Sequence, residues 1–277
     1  MLSNLLVHIP SERPVRPVID AAISLALARV AHLDAISIGY ETANVALAVE
    51  GGAAVAAVFG LEHEHALERA GAALAVFDTE ARSAGIYPML QALAGLPVEA
   101  TAKACAAARL HDLTIVLQPD FDLNTHDNTL PQEILFQSGG PVLFIPTTHK
   151  GPFRPRRLGI AWDGSRLAAR AVRDAAPFLA CAEAITIIGI NEIRDPGRAS
   201  AAALAAHLAR RGLHARVERM TVDHADIQPA ILSIAADTDL DLIAMGGFGH
   251  SRLHERILGG VTRSMFQSMT VPTLMSH

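Results

Sequence analysis

Aromatic side chains make up only 4% of this 277-residue chain, with a single tryptophan. Its interior must therefore be filled with Ala, Leu, Ile and Val, a palette that suits helices packed on a parallel sheet. Charge is also sparse, 18%, and the net charge of −5 excludes the basic field that recruits nucleic acid. The one dense basic cluster, Arg154 to Arg157, is broken by Pro155 and reads as a linker. There are two cysteines, Cys105 and Cys181, distant in sequence and each among alanines. Without a CxxC pair they read as buried thiols in a reducing compartment, so a cytoplasmic setting is expected. Asn44 to Leu61 is rich in Ala, Val and Gly, but Glu50, Gly51 and Gly52 interrupt it. That excludes a membrane span and leaves an insertion that packs on the sheet or on a partner. The opening residues, MLSNLLVHIPSERP, lack the basic-then-apolar order of a signal peptide.

Several reactive constellations are missing as well. His63-Glu64-His65 is not HExxH, and residues two apart on a helix point in different directions, so it reads as a solvated helix face. Asp120, Asp122, Asn124, Asp127 and Asn128 resemble a calcium loop in composition but lack the Gly and closing Glu of an EF-hand, so a solvent loop is expected. Gly164-Ser165 has no glycine two residues on, which excludes a nucleophile elbow. No metal ligand set and no catalytic residue is assigned.

What the chain does have is 51% hydrophobic residues in short aliphatic runs that alternate with helical patterns. Strands are expected at 5–9, 33–40, 86–90, 113–117 and 141–145, with helices at 15–30, 62–84, 98–110 and 130–137 between them. The order recurs with strands at 158–162, 185–190, 216–220, 240–245 and 271–275, and helices at 165–179, 199–211, 227–236 and 261–269. Local echoes accompany it: His111-Asp112-Leu113 parallels Leu240-Asp241-Leu242, and Pro141-Val142-Leu143-Phe144 parallels Pro272-Thr273-Leu274-Met275. The expected fold is α/β, with two tandem doubly wound domains, 1–150 and 151–277. Each has an open five-stranded parallel sheet with helices on both faces.

In such sheets ligands bind beyond the carboxyl ends of the strands. Two segments of the second half fall there. Trp162-Asp163-Gly164-Ser165 follows its first strand, and Asp163 suits a base or ribose, although an Asp or Ser here also caps the next helix. The second segment starts Gly246-Gly247-Phe248-Gly249 and ends Gly259-Gly260-Val261-Thr262, between a strand and a helix. Glycines let backbone amides approach an anion, and a helix N-terminus favours it. It is neither a Walker A motif nor a dinucleotide fingerprint, since position 252 is Arg.

The spacing Gly246-x2-Gly249-x9-Gly259, and the stretch IAMGGFGHSRLHERILGGVTRSMFQSMTVPTLM around it, resembles the universal stress protein family. The likeness extends over both halves as a tandem member. The resemblance implies an adenine nucleotide alpha hydrolase-like fold and a bound nucleotide (ATP, ADP or AMP, with or without magnesium). It places Asp163 at the adenosine and Gly246, Gly249 and Gly259 at the phosphates; Gly260, by its amide, and Thr262, by its nearby hydroxyl, are assigned to the same side. Family members continue the last glycine with Ser or Thr; here Gly260 keeps an amide but loses the hydroxyl. The first half has Gln118-Pro119-Asp120-Phe121-Asp122 in place of the glycine motif and no Asp after its first strand, so it is expected to be structural. The expectation is a stress-response protein with slow or no ATP hydrolysis. Two alternatives stand beside it: an interaction module without nucleotide, and a weak nucleotide or phosphate-ester hydrolase. The resemblance also implies pairing through the last strands, as an intramolecular pseudo-dimer of the halves and a possible homodimer.

Overall fold

The computed structural model describes residues 2–41, 53–192, 195, 197–248 and 260–277. In the first half, β1 (Asn4–His8), α1 (Arg16–Arg29), β2 (His32–Tyr40), α2 (Ala53–Ser83), β3 (Leu90–Gly95), α3 (Pro97–Ala108), β4 (Leu113–Leu117), α4 (Leu130–Gln137) and β5 (Val142–Ile145) follow one another. The second half repeats the plan with β6 (Arg157–Ala161), α5 (Arg166–Asp174), α6 (Ala176–Leu179), β7 (Ala184–Ile190), α7 (Ala201–Ala209), β8 (Ala215–Met220), α8 (Ile227–Asp237), β9 (Leu242–Gly246), α9 (Val261–Ser268) and β10 (Thr273–Ser276).

All ten described strands join one sheet in the order β3-β2-β1-β4-β5-β10-β9-β6-β7-β8. Within each half every pairing is parallel. The halves meet at β5 and β10, which run antiparallel with Leu143 opposite Leu274. The short, proline-flanked strands β5 and β10 thus lie at the centre, and the outer strands are β3 and β8. Strand side chains alternate between two faces. Leu5, Leu143, Leu158 and Leu274 face a layer built by α1, α2, α5, α6 and α7. Leu6, Phe144, Ile243 and Met275 face α3, α4, α8 and α9. Each layer draws on both halves, so the apolar core runs unbroken across the seam. With aromatics so few, small residues set the spacing: a Cβ on Gly39 of β2 would sit 1.8 Å from the Ala66 carbonyl oxygen of α2. Only glycine lets that helix lie so close.

A carboxylate clasp repeats in both halves. Asp112, just before β4, accepts from the Ser3 and Asn4 amides at 2.7 and 2.9 Å. Asp241, just before β9, accepts from the Arg156 and Arg157 amides at 2.9 and 2.9 Å. Each ties the start of one strand to the start of its neighbour.

Four expectations need correction. The third strand is Leu90–Gly95, not 86–90. Gly85 ends α2 in the left-handed region (φ 80°), and Pro88 has no N–H to donate, so bonding to β2 starts only at the Met89 carbonyl, which accepts from the Ala35 amide at 2.9 Å. The long helix begins at Ala53, so the Ala-rich end of the supposed insertion continues α2, while 42–52 lie outside the described residues. The single helix expected over 165–179 is two, because Pro177 cannot donate to the Arg173 carbonyl. Cys105 is buried but Cys181 is exposed, with the Arg29 guanidinium 3.0 Å from its sulfur.

Candidate functional site

In the second half β6 pairs with β7 on one side and with β9 on the other. Strand order reverses between β6 and β9, and a crevice opens beyond their carboxyl ends at such a point. Ala161 and Met245 are paired there, so the residues that follow each strand emerge side by side. These are Trp162 to Ser165 after β6 and Gly246 to Phe248 at the end of β9.

The β6 exit is tightly built. Ser165 caps α5, its hydroxyl accepting from the Ala168 amide at 3.2 Å. The Asp163 carboxylate accepts from the Ser165 amide at 2.9 Å. Gly164 has φ 74°, and a Cβ there would lie 2.6 Å from the Ala199 carbonyl oxygen. That carbonyl accepts from the Trp162 indole at 2.7 Å. The backbone after β7 thus presses on the turn, and the Asp163 side chain stays 55% exposed. Arg198 lies on the same segment: it donates to the Asp163 carbonyl at 3.2 Å, and its guanidinium is 3.7 Å from the carboxylate. Arg198 was not a sequence candidate. It sits thirty-odd residues from Asp163 in an irregular stretch without periodicity, and only the fold brings the two together.

At the β9 exit, a Cβ on Gly246 would come 2.8 Å from the Ala168 amide nitrogen, so the first turn of α5 rests on this glycine. Gly247 donates to the Ser276 carbonyl at 2.9 Å, continuing the ladder with β10. Phe248 takes the left-handed conformation, φ 56°, which costs a bulky residue about 1–2 kcal/mol. It is held there by a bond from its amide to the Thr262 hydroxyl at 3.0 Å and by the Phe136 and Phe266 rings at 4.6 and 5.9 Å. Gly260 is the N-cap of α9, and among the described residues no side chain caps that end. Thr262 is buried in the first turn. Gly249 and Gly259 lie outside the described residues. The structure therefore gathers Asp163 and Gly246 at adjacent strand ends and links Thr262 to the β9 exit through Phe248.

Residues 155–277 match the family model described as the universal stress protein family. The match takes in nearly all of the second half. Solved structures share the fold over the full length. A universal stress protein from Archaeoglobus fulgidus DSM 4304 is 16% identical, with a TM-score of 0.69, over 98% of this chain and 95% of that one. A candidate universal stress protein from Pseudomonas aeruginosa UCBPP-PA14 is 16% identical, with a TM-score of 0.55, over 99% and 93%. A universal stress protein in complex with cAMP is 18% identical and covers 53% of this chain and 99% of its own, at a TM-score of 0.36, too low to carry its ligand across. No curated protein matches the sequence.

Within the matched residues, β6 and β9 frame an exposed carboxylate, Asp163, and the glycines Gly246 and Gly247. The corresponding ends of β1 and β4 in the first half are filled by the chain itself. His8 and Asp127 are both 1% exposed, with Nε2 3.7 Å from Oδ1. Asp127 accepts from the Glu12 amide at 2.9 Å. Arg13 donates to the Gln118 carbonyl at 2.7 Å, and Thr125 donates to the Glu12 carboxylate. Asn128 is buried and bridges Asp120 and Leu123. The loop expected in solvent thus folds inward at 127–128, because its short polar side chains replace the backbone partners it would otherwise lose. Burial pushes the Asp127 carboxyl up to about 7 and the His8 imidazole down to about 3, the nearby Arg13 charge adding to the latter. Burial, then the Asp127 and Glu12 charges, raises the Tyr40 phenol beside them. His63, expected on a solvated face, is about half exposed and hydrogen-bonds Glu41 at 2.6 Å. Among the described residues no group of three or more His, Cys, Asp or Glu side chains is placed to hold a metal ion. Nor is any described helix long and apolar enough to cross a membrane.

Proposed function

We propose that the second half binds an adenine nucleotide (ATP, ADP or AMP, with or without magnesium) as a structural or regulatory ligand of a stress-response protein, with slow or no turnover. The observation that carries this reading is the meeting of Asp163 and Gly246 at the strand-order reversal, inside the residues that match the family. The residues present fit the group. Asp163 offers an exposed carboxylate to the adenosine hydroxyls. The N-terminal amides of α9, uncapped by any side chain among the described residues and aided by the helix dipole, suit phosphate oxygens. Gly246, Gly249, Gly259 and Gly260 are assigned to the phosphate side. Thr262 is assigned there as a positioning residue, since its hydroxyl already holds the Phe248 amide. The first half, 1–150, is taken as the structural partner of 151–277, paired with it through β5 and β10.

Titration calorimetry of nucleotide-stripped protein tests this. Binding near one site per chain is expected, with affinity falling at least about tenfold in Gly249→Val, since a branched side chain blocks close backbone approach. A second reading, an interaction module without nucleotide, is favoured by Arg198 lying over Asp163 and by the absent hydroxyl at Gly260. No heat with any of the three nucleotides selects it.

A further inference from the structure

Among the described residues, four polar atoms around the carboxyl ends of β1 and β2 are buried without a hydrogen-bond partner: His8 Nε2, Arg13 Nε, Tyr40 Oη and Asp127 Oδ1. An unpaired polar atom in the interior is costly, and an unpaired charge far more so. Burial alone therefore makes His8 and Asp127 a neutral imidazole and a neutral carboxyl, with Nε2 3.7 Å from Oδ1. Asp127 belongs to a strap, residues 119–129, that lies over these strand ends. Many of its bonds are internal: the Asn128 side chain holds the amide and the carbonyl of Asp120 and the carbonyl of Leu123. The strap is tied down at Glu12, whose amide donates to Asp127 and whose carboxylate accepts from Thr125, and at Tyr40, whose ring is 5.1 Å from that of His126. A third tie is exposed, Phe121 against the Arg263 guanidinium. A segment with so few ties opens by itself, ahead of the sheet beneath it.

We propose that the strap 119–129 is a latch over the strand ends of the first half, and that it opens by passing one proton from the Asp127 carboxyl to the His8 imidazole. The O–H bond of Asp127 breaks, the electron pair stays on the carboxylate, and an N–H bond forms at His8 Nε2. No other reactant is consumed. The pair is neutral while the latch is closed. Once both groups reach water, a carboxylate and an imidazolium are the stable forms between about pH 4 and about 6.5. Burial pushes the Asp127 carboxyl up to about 7 and the His8 imidazole down to about 3, the order that a closed, neutral pair requires. The groups around the pair are Glu12 and Arg13 before α1, Tyr40 of β2 with Arg69 of α2 on its carbonyl, and Asp120 and His126 of the strap itself. Because the proton stays within the protein, opening draws none from the solvent and releases none, so the latch holds equally well across that pH range.

The test follows hydrogen exchange by NMR in the full chain and in the variants Asp127→Asn and His8→Gln. The probes are the Glu12 and Asp120 amides, which donate to the strap side chains Asp127 and Asn128. Protection is the observed rate set against the chemical rate at each pH. In the parent it is expected to stay within about threefold from about pH 4.5 to about 6.5. In Asp127→Asn, opening must draw a proton from the solvent onto His8, so protection is expected to rise by up to about tenfold per pH unit. In His8→Gln, opening must release one from Asp127, so protection is expected to fall by up to about tenfold per pH unit. The Ile115 amide of β4 reports the sheet beneath. About 1 M urea is expected to speed exchange at Ile115 and to leave Glu12 within about twofold, because opening the strap exposes little surface. A parent profile as steep as that of either variant overturns the proton transfer, and so do variants that stay as flat as the parent. An equal response to urea at Glu12 and Ile115 overturns the latch. Asp127→Asn keeps the shape and neutrality of the closed form; should His8→Gln fail to fold, the slope in Asp127→Asn and the parent's response to urea decide the matter.

Discussion

Asp127 and His8 are two ionisable groups that folding places in an apolar interior without a hydrogen bond between them. The unfolded chain near pH 5 holds a charged imidazole and a charged carboxylate. The folded chain holds the same single proton on the carboxyl instead, because burial raises Asp127 to about 7 and lowers His8 to about 3. The signs follow from linkage. The raised carboxyl contributes stability that is complete below about pH 4 and is lost as pH rises towards about 7. The depressed imidazole contributes stability that is complete above about 6.5 and is lost as pH falls towards about 3. Between about pH 4 and about 6.5 the two slopes cancel. The groups around them are Glu12, Arg13, Tyr40, Asp120 and His126. Asp127→Asn should therefore unmask a stability that climbs with pH across this window, and His8→Gln one that falls, each by at most about 1.4 kcal/mol per pH unit. Urea midpoints measured across the window check this; a flat profile in both variants would sink the argument. The sequence marks Asp163 and Gly246 because each sits directly after an aliphatic run, where strand-end chemistry is legible. It does not mark Arg198, whose partner lies far off in sequence, or the burial of Asp127, which it places in a solvent loop and which depends on how that loop folds back.

The elements of the sheet were legible because most of its strands are unbroken aliphatic runs bounded by Pro, Gly or Asp. Those that shifted did so where proline decides the geometry. Pro88 delays β3, and Pro177 splits α5 from α6. The reach of α2 back to Ala53 was obscured by paired glycines, which weaken a helical pattern on paper. The repeated dipeptide Asp-Leu before β4 and β9 was read as a mark of duplication, and its structural role is the clasp on β1 and β6. Two backbone amides hold the Asp112 carboxyl below the usual carboxylate range, so that contribution is present above about pH 4 and fades as the pH falls further. Asp112→Ala leaves the amides to water at an exposed position. A loss of about 1 kcal/mol is expected, with a similar loss for Asp241→Ala and additive effects in the double variant, since the clasps share no partner. A chemical denaturation series on the four proteins measures this. A double variant that loses much more than the sum would show the clasps to be coupled.

At the scale of the molecule, the two hydrophobic layers each include side chains from both halves. Neither half can shed its core without opening the other's, so a single cooperative transition is expected. The chain carries its own probes for this. Trp162 is its only tryptophan and lies in the second half, and both tyrosines, Tyr40 and Tyr87, lie in the first. Tryptophan fluorescence and tyrosine absorbance should give the same urea midpoint. Separated midpoints would mean that the halves unfold as independent units. The alternating order of strands and helices made the two-part plan readable. The antiparallel join of β5 to β10 was not fixed by any residue pattern, because pairing between short edge strands depends on what else is available to pair.

That join has a consequence for dilution. Two separate chains meeting along the same strands would part as their concentration fell, whereas strands tethered within one chain face each other at a fixed local concentration, in the millimolar range for short tethers. The seam between β5 and β10 is thus indifferent to how much protein the cell makes. A half that is always present beside its neighbour no longer needs a vacant crevice of its own. It is free to fill that space with His8, Arg13 and Asp127.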